Sequence, residues 1–222
     1  DFTPSPPPRW RFLAHAGDGR GVEIHLAAAM LPGRNTTVLR FHRPAAPPPQ
    51  GRDLPAGADV RLTVRVDLED RNFHHETKHN PGADHHFRSH TRRLAGAVGF
   101  EFAPAADRRL RVRATAGYYH DQPEWSFNIA HPLEQSRGLE GSGDAFSPGW
   151  FELPLARGDT LDLVVCADPD EPTGEEIAQA FAPVLGPAGP AAATTEKRGK
   201  TPGAGDGESA GDEFAERLRP RR

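Results

Sequence analysis

The sequence predicts an all-β fold, a sandwich or a barrel, with one short helix near its end. Apolar residues recur with a period of two in several segments, and turn residues fence each of them. Little helical periodicity lies between. The clearest segment is "DVRLTVRVDLED" (59–70), where Val60, Leu62, Val64, Val66 and Leu68 share one face. Arg61, Thr63, Arg65, Asp67 and Glu69 share the other. That alternation suits an antiparallel strand with one face on a core and one in water.

The first eight residues carry four prolines, so they read as an extended lead-in that cannot join a central ladder. "VEIHLAAAML" (22–31) is ambiguous by pattern, but the glycines before it and Pro32-Gly33 after it suit a strand. "NTTVLRFHR" (35–43) is the next strand, and the proline-rich 44–58 a surface connection. After the alternating strand, 72–90 shows no helical pattern and Asn80-Pro81-Gly82 interrupts it, so it reads as a loop. Strands follow at 96–104, 108–117, 149–158 and 159–168. The last two are expected to form a hairpin across Arg157-Gly158-Asp159. In 171–185, Thr173 is placed as an N-cap ahead of Glu175 and Glu176, which predicts a short helix. The Gly/Ala/Pro-rich 186–212 buries too little to offset its ordering entropy and reads as a flexible linker. "EFAERLRPRR" (213–222) then turns amphipathic and reads as the start of a further domain.

Composition narrows the partners. The 222 residues carry a formal net charge of -4, which gives no reason to expect nucleic acid or an anionic membrane. No apolar run approaches the roughly 20 residues that span a bilayer. Cys166 is the only cysteine, so no intrachain disulfide can form and a reducing, cytoplasmic setting fits. Its place beside Val164 and Val165 marks it as a small buried hydrophobe. The N-terminus has neither the basic nor the apolar region of a signal peptide. It also lacks Met, so the chain is expected to be processed or cut from a longer one.

Three groups of residues could carry chemistry. Six of the eleven histidines lie at 74, 75, 79, 85, 86 and 90. The i,i+4 pairs His75/His79 and His86/His90 could chelate a metal if helical, which leaves open a metal-binding, cupin-like β-sandwich that uses these and His74. The second group is "GYYHDQPEWSFNIAHPLE" (117–134). Tyr118, Tyr119, Trp125, Phe127, Asn128 and Glu134 offer the flat rings and polar groups that sugars use, although alternate rings would serve a core equally well. The third is carboxylates: Glu124, Glu134, Glu140 and Asp144 could include an acid and a base for glycoside hydrolysis. No nucleophile elbow or phosphate-binding glycine motif is present, and nothing in the sequence asks for a cofactor.

Ordered landmarks over residues 9–182 resemble the N-terminal domain of bacterial and archaeal glycogen debranching enzymes of the amylo-α-1,6-glucosidase type. "WRFLAHAGDGRGVEIHLAAAMLPGRNTTVLRF" is similar to that family's opening, with its G-x-N-T turn at Gly33 to Thr36. Arg71-Asn72-Phe73-His74 matches its R-D-F-H landmark. Trp125, Asn128, Glu134, Arg137, Gly138, Leu139, Asp144, Ser147, Pro148 and Gly149 match its tryptophan-led "E-x-x-R-G-L-D-x-x-E-D-L-W-S-P-G" segment. The chain departs from that pattern at His131, Glu140, Gly143, Ala145 and Phe146. The resemblance implies a large antiparallel β-sandwich ahead of a catalytic (α/α)-barrel that hydrolyses α-1,6-linked glucose branches. Such a domain holds no catalytic residues and is inactive alone. Its partners would be that barrel, in the same polypeptide, and an α-glucan such as glycogen or maltodextrin. Phe73, His74, Tyr118, Tyr119, Trp125, Asn128, Glu134, Arg137 and Asp144 become candidates for docking the barrel or binding sugar. "RGLEGSGDAFSPG" (137–149) is then expected to be a structured loop at the sheet end, held by a Glu134–Arg137 pair and the Ser147-Pro148-Gly149 turn.

Overall fold

The computed structural model describes residues 1–185 apart from 5, 49, 50, 56, 73 and 74, with no side chains described at 183–185. The segments 186–212 and 213–222, with Phe73 and His74, lie outside the described residues. The strands run in chain order as β1 (Phe2–Thr3), β2 (Arg9–His15), β3 (Arg20–Met30), β4 (Thr36–His42), β5 (Arg52–Asp53) and β6 (Arg61–Arg65). Helix α1 (Pro81–Ser89) precedes β7 (Thr91–Arg93), β8 (Val98–Ala105), β9 (Arg108–Ala114), β10 (Tyr118–His120) and β11 (Glu124–Ala130). Then come α2 (Pro132–Ser136), β12 (Ser142–Ser147), β13 (Trp150–Pro154), β14 (Thr160–Cys166) and α3 (Gly174–Leu185).

One sheet runs β1-β2-β3-β4-β14-β9-β8-β7, antiparallel throughout, with β5 added in parallel to β3. Facing it are β10-β13-β6 and the β11–β12 pair, which meet where Leu68 and Phe146 exchange backbone hydrogen bonds at 2.7 and 3.0 Å. The core lies between these layers. Phe41, Phe100, Val112, Leu161 and Leu163 come from the large sheet, and Tyr119, Trp125, Phe146, Phe151 and Leu153 from the smaller ones. This is the antiparallel sandwich of the expected class. The alternation read in 59–70 holds, since Leu62, Val64, Val66 and Leu68 pack on that core while Arg61 and Arg65 stay exposed. Cys166 is buried as expected.

Strand β3 was ambiguous because both of its faces are covered. Val22 and Ile24 face the sandwich core, while Ala27 and Ala29 lie under Ile177 and Phe181 of α3. Two covered faces remove the polar half of the alternation. Helix α3 begins in a reciprocal cap: the Thr173 hydroxyl accepts from the Glu176 N–H at 3.2 Å, and the Glu176 carboxylate accepts from the Thr173 N–H at 2.7 Å. Arg40 lies 4.1 Å above the Phe181 ring and is held there by a bidentate bond to Asp162 at 2.7 and 2.8 Å. Thr173→Ala is expected to lower stability by about 1 kcal/mol. Urea midpoints of the two proteins check this, and equal midpoints would show that the cap is dispensable.

Three sequence expectations need correction. The histidine-rich stretch contains a helix, because Asn80-Pro81-Gly82 starts α1 instead of breaking it. The Asn80 side chain accepts from the Ala83 N–H at 2.9 Å, and Pro81 stands in the first turn, where no N–H is needed. Second, β13 and β14 are not a hairpin. Asp159 closes a tight turn onto Ala156, but the turn carries the chain from the small layer to the large sheet, with Leu155 buried at the crossing. Third, much of 137–149 is strand, not loop: β12 pairs with β11 and is almost wholly buried. Gly143, Ala145 and Ser147 are the small residues a closely covered strand tolerates.

Candidate functional site

The landmark residues of 125–149 meet on the β11–α2–β12 hairpin and the 75–79 segment beside it. Along β11 the register with β12 shifts between Ser126 and Ile129, and Asn128 takes a left-handed φ of 55°. That bulge turns Phe127 and Asn128 out of the ladder. Asp144, on β12 and 7% exposed, holds it in place. One of its carboxylate oxygens accepts from the Asn128 N–H at 2.9 Å and the other from the His79 N–H at 2.8 Å. The Asp144 N–H itself donates to the Thr77 carbonyl at 2.7 Å. These backbone donors, His79 first and Asn128 second, hold the Asp144 carboxyl below its ordinary range.

Trp125 points into the core, and its indole N–H donates to Asp84 of α1 at 2.8 Å. That bond, followed by the Arg88 guanidinium, lowers the pKa of Asp84. The His79 ring meets Trp125 and Phe127 edge-on, with centroids at 5.0 and 5.4 Å. Tyr118 and Tyr119 are neighbours on β10 and therefore point to opposite faces: Tyr119 is 3% exposed and Tyr118 66%. The rings offered by the sequence are thus divided. Tyr119 and Trp125 are core, while Tyr118 and Phe127 are surface.

Two departures from the family pattern are spatial neighbours. A Cβ added at Gly143 would come within 2.8 Å of a Glu76 carboxylate oxygen and 2.9 Å of the His131 ring. Glu76 and His131 pair with each other at 2.8 Å. The imidazole and the missing side chain belong to one packing solution.

The expected Glu134–Arg137 ion pair is not formed. The Arg137 N–H instead donates to the Glu134 carbonyl at 3.0 Å, and Leu139 N–H does the same at 3.0 Å, which closes the turn after α2 through the backbone. The paired-carboxylate reading loses a member, since Asp144 commits both oxygens to backbone donors and is buried. Glu124 bonds to Arg65 at 3.1 Å, and Glu140 is exposed.

The metal reading finds no geometry to support it. His75 and His79 precede α1, so helical spacing does not apply to them. His86 bonds to Asp70 at 3.1 Å and His90 to the His86 carbonyl at 2.7 Å, while His85 is exposed. Among the described residues no three His, Cys, Asp or Glu side chains gather as a metal would require. The grip of Asp144 on 77–79 escaped sequence reasoning, because those residues stand 65 positions away from it and carry no pattern of their own.

No helix among the described residues is long and apolar enough to cross a membrane. No curated protein and no solved structure matches the chain. A family model described as glycogen debranching enzyme N terminal matches residues 1–162. That span takes in the large sheet as far as the first three residues of β14, both small sheets and the Asp144-centred hairpin. The chain belongs to the glycogen debranching enzyme N-terminal family.

Proposed function

We propose that this chain is the non-catalytic N-terminal part of a cytoplasmic glycogen debranching enzyme, and that it docks and supports a catalytic (α/α)-barrel that hydrolyses α-1,6-linked glucose. An α-glucan is the ligand of the same assembly. The observation that carries the docking is the exposure of Leu133 and Leu139, at 67% and 42%, in and after α2, with Phe127, at 58%, on the β11 bulge of the same hairpin. Apolar side chains exposed along it gain stability from being covered, and hydrogen bonds from Asp144 and within the α2 turn hold the backbone beneath them. The burial of Trp125 argues against a sugar platform on this hairpin. Only Phe127 of its rings is free to stack.

The test uses the purified chain and the catalytic part of the same polypeptide. The chain alone is expected to release no glucose from a branched maltodextrin. It is expected to capture the catalytic part saturably, and Leu133→Asp/Leu139→Asp to weaken capture at least tenfold. Turnover by the chain alone, or capture untouched by the double variant, would overturn the proposal.

A further inference from the structure

Helix α3 covers only part of the outer face of the large sheet. Beside it, the register of β2, β3, β4 and β14 sets two cross-strand rows of side chains on that face. Arg9, Ala27, Arg40 and Asp162 form one row, and Arg11, His25, His42 and Thr160 the next. Ala27 is the short member of its row. Strands β2 and β4 stand two strand spacings apart, about 9–10 Å, so Arg9 and Arg40 rise on either side of a low floor. The result is a groove of about 500 Å³ whose lining includes Arg9, His25, Ala27, Arg40, His42 and Thr160. At roughly 30 Å³ per water it has room for about fifteen waters.

The groove holds a cation that the fold leaves uncompensated. Among the described residues Arg9 has no ion pair and no side-chain hydrogen bond, and its Nε is buried without a partner. The other charged side chains of the lining are committed. Arg40 grips Asp162 through Nε and Nη2, which leaves Nη1 to donate, and Arg11 pairs with Asp1 and lies 4.0 Å from Glu23. The two imidazoles, with centroids 6.0 Å apart, add acceptors. His25 Nε2 lies 2.6 Å from the Glu23 carboxylate and His42 Nδ1 lies 3.0 Å from the Asp159 carbonyl. Those nitrogens carry the protons, so the other nitrogen of each neutral ring accepts. The Thr160 hydroxyl, 3.0 Å from His42 Nδ1, can donate as well. A carboxylate would bring acceptors only. A singly protonated phosphoryl group brings charged oxygens for Arg9 and Arg40 and a P–OH for an imidazole nitrogen.

We propose that this groove binds a phosphoryl group, as inorganic phosphate or as a phosphomonoester, between the Arg9 and Arg40 guanidiniums. The site rests on neither the docking face nor the glucan reading. The test titrates the purified chain, at pH 7 and constant ionic strength, with inorganic phosphate, glycerol 3-phosphate and acetate. Heat and the ring-proton NMR signals of His25 and His42 are followed together. Saturable binding of a phosphate probe that shifts both histidine signals is the expected result, and the tighter probe tells free phosphate from a phosphomonoester. Arg9→Gln is expected to weaken binding at least fivefold and, since that side chain holds no other residue, to melt with the wild type. Thr160→Val, which removes one hydroxyl from the same groove, should weaken it at least twofold. Arg93→Gln removes an exposed arginine from β7, at the opposite edge of the sheet, and should leave binding unchanged. No saturable binding of either phosphate probe, or acetate bound as tightly, would overturn the proposal. So would equal losses in Arg9→Gln and Arg93→Gln, or binding that leaves the His25 and His42 signals unmoved.

Discussion

Gly149→Ala is expected to cost about 4 kcal/mol or more and to leave little folded protein. Gly149 sits at φ 159°, and a Cβ there would lie 2.1 Å from the His120 carbonyl oxygen and 3.1 Å from the Gln122 nitrogen. Both obstacles are backbone, so no rotamer change can relieve them. The turns at 120–122 and 147–149 would have to separate, and they bracket Tyr119, Phe146 and Phe151 of the core. A loss of that size is a large part of the roughly 5–15 kcal/mol by which domains are stable. Gly138→Ala is the control. Its φ of 78° is also left-handed, but nothing lies within 4 Å of the added carbon. Only the local backbone strain remains, about 1–2 kcal/mol. Circular dichroism melts of the two variants separate the effects. A Gly149→Ala protein melting at or above Gly138→Ala would show that the turns are not in contact as described.

Asp144→Ala is expected to lower stability by roughly 3–6 kcal/mol, from two charge-assisted hydrogen bonds of about 1.5–3 kcal/mol each. The alanine leaves the His79 and Asn128 N–H groups without an acceptor, so the 77–79 segment and the β11 bulge loosen together. Asp144→Asn keeps the shape but sets an amide NH₂ against one of those donors, and is expected to lose about half as much. The same bonds set a pH dependence. The folded carboxyl titrates below the ordinary aspartate value, so the unfolded chain takes up the proton first as pH falls. The stabilisation is complete above the ordinary value near 3.9. It drains away as pH drops from there through the lowered folded value. Urea midpoints measured between pH 6 and pH 3 should therefore fall more steeply for the wild type than for Asp144→Asn. Parallel profiles would mean that the carboxylate is not held as described.

Binary alternation made the strands legible. Val60, Leu62, Val64, Val66 and Leu68 could be read as facing the core because β-branched and aliphatic residues at period two share one face, and they pack there. Helix α3 was legible from Thr173 and the acidic first turn, since a capping box is a local interaction written in local sequence. Helix α1 was not, because Asn80-Pro81-Gly82 is spelled the same way whether it ends one element or starts another. Only the Asn80 side chain reaching Ala83 tells the two apart. The hairpin expected between β13 and β14 failed for a related reason. Arg157-Gly158-Asp159 does turn sharply, but a tight turn says nothing about whether the strands it joins share a sheet.

The candidate site divides along the same line. The sequence offered Trp125, Asn128, Glu134, Arg137 and Asp144 as one constellation. In the structure, Asp144 and Asn128 are joined directly, Trp125 turns inward to α1, and Glu134 and Arg137 meet only through the backbone. By itself the sequence determined the class of fold and the positions of about half of the strands, because these depend on side-chain period and local turn chemistry, while the resemblance to a family singled out the residues around the β11–β12 hairpin. Tertiary structure alone decided which rings are buried, which carboxylate is locked by the backbone and that the Tyr119 hydroxyl is buried without a hydrogen-bond partner among the described residues. Those outcomes depend on which layer lies over each strand, and residues far apart in the chain set that.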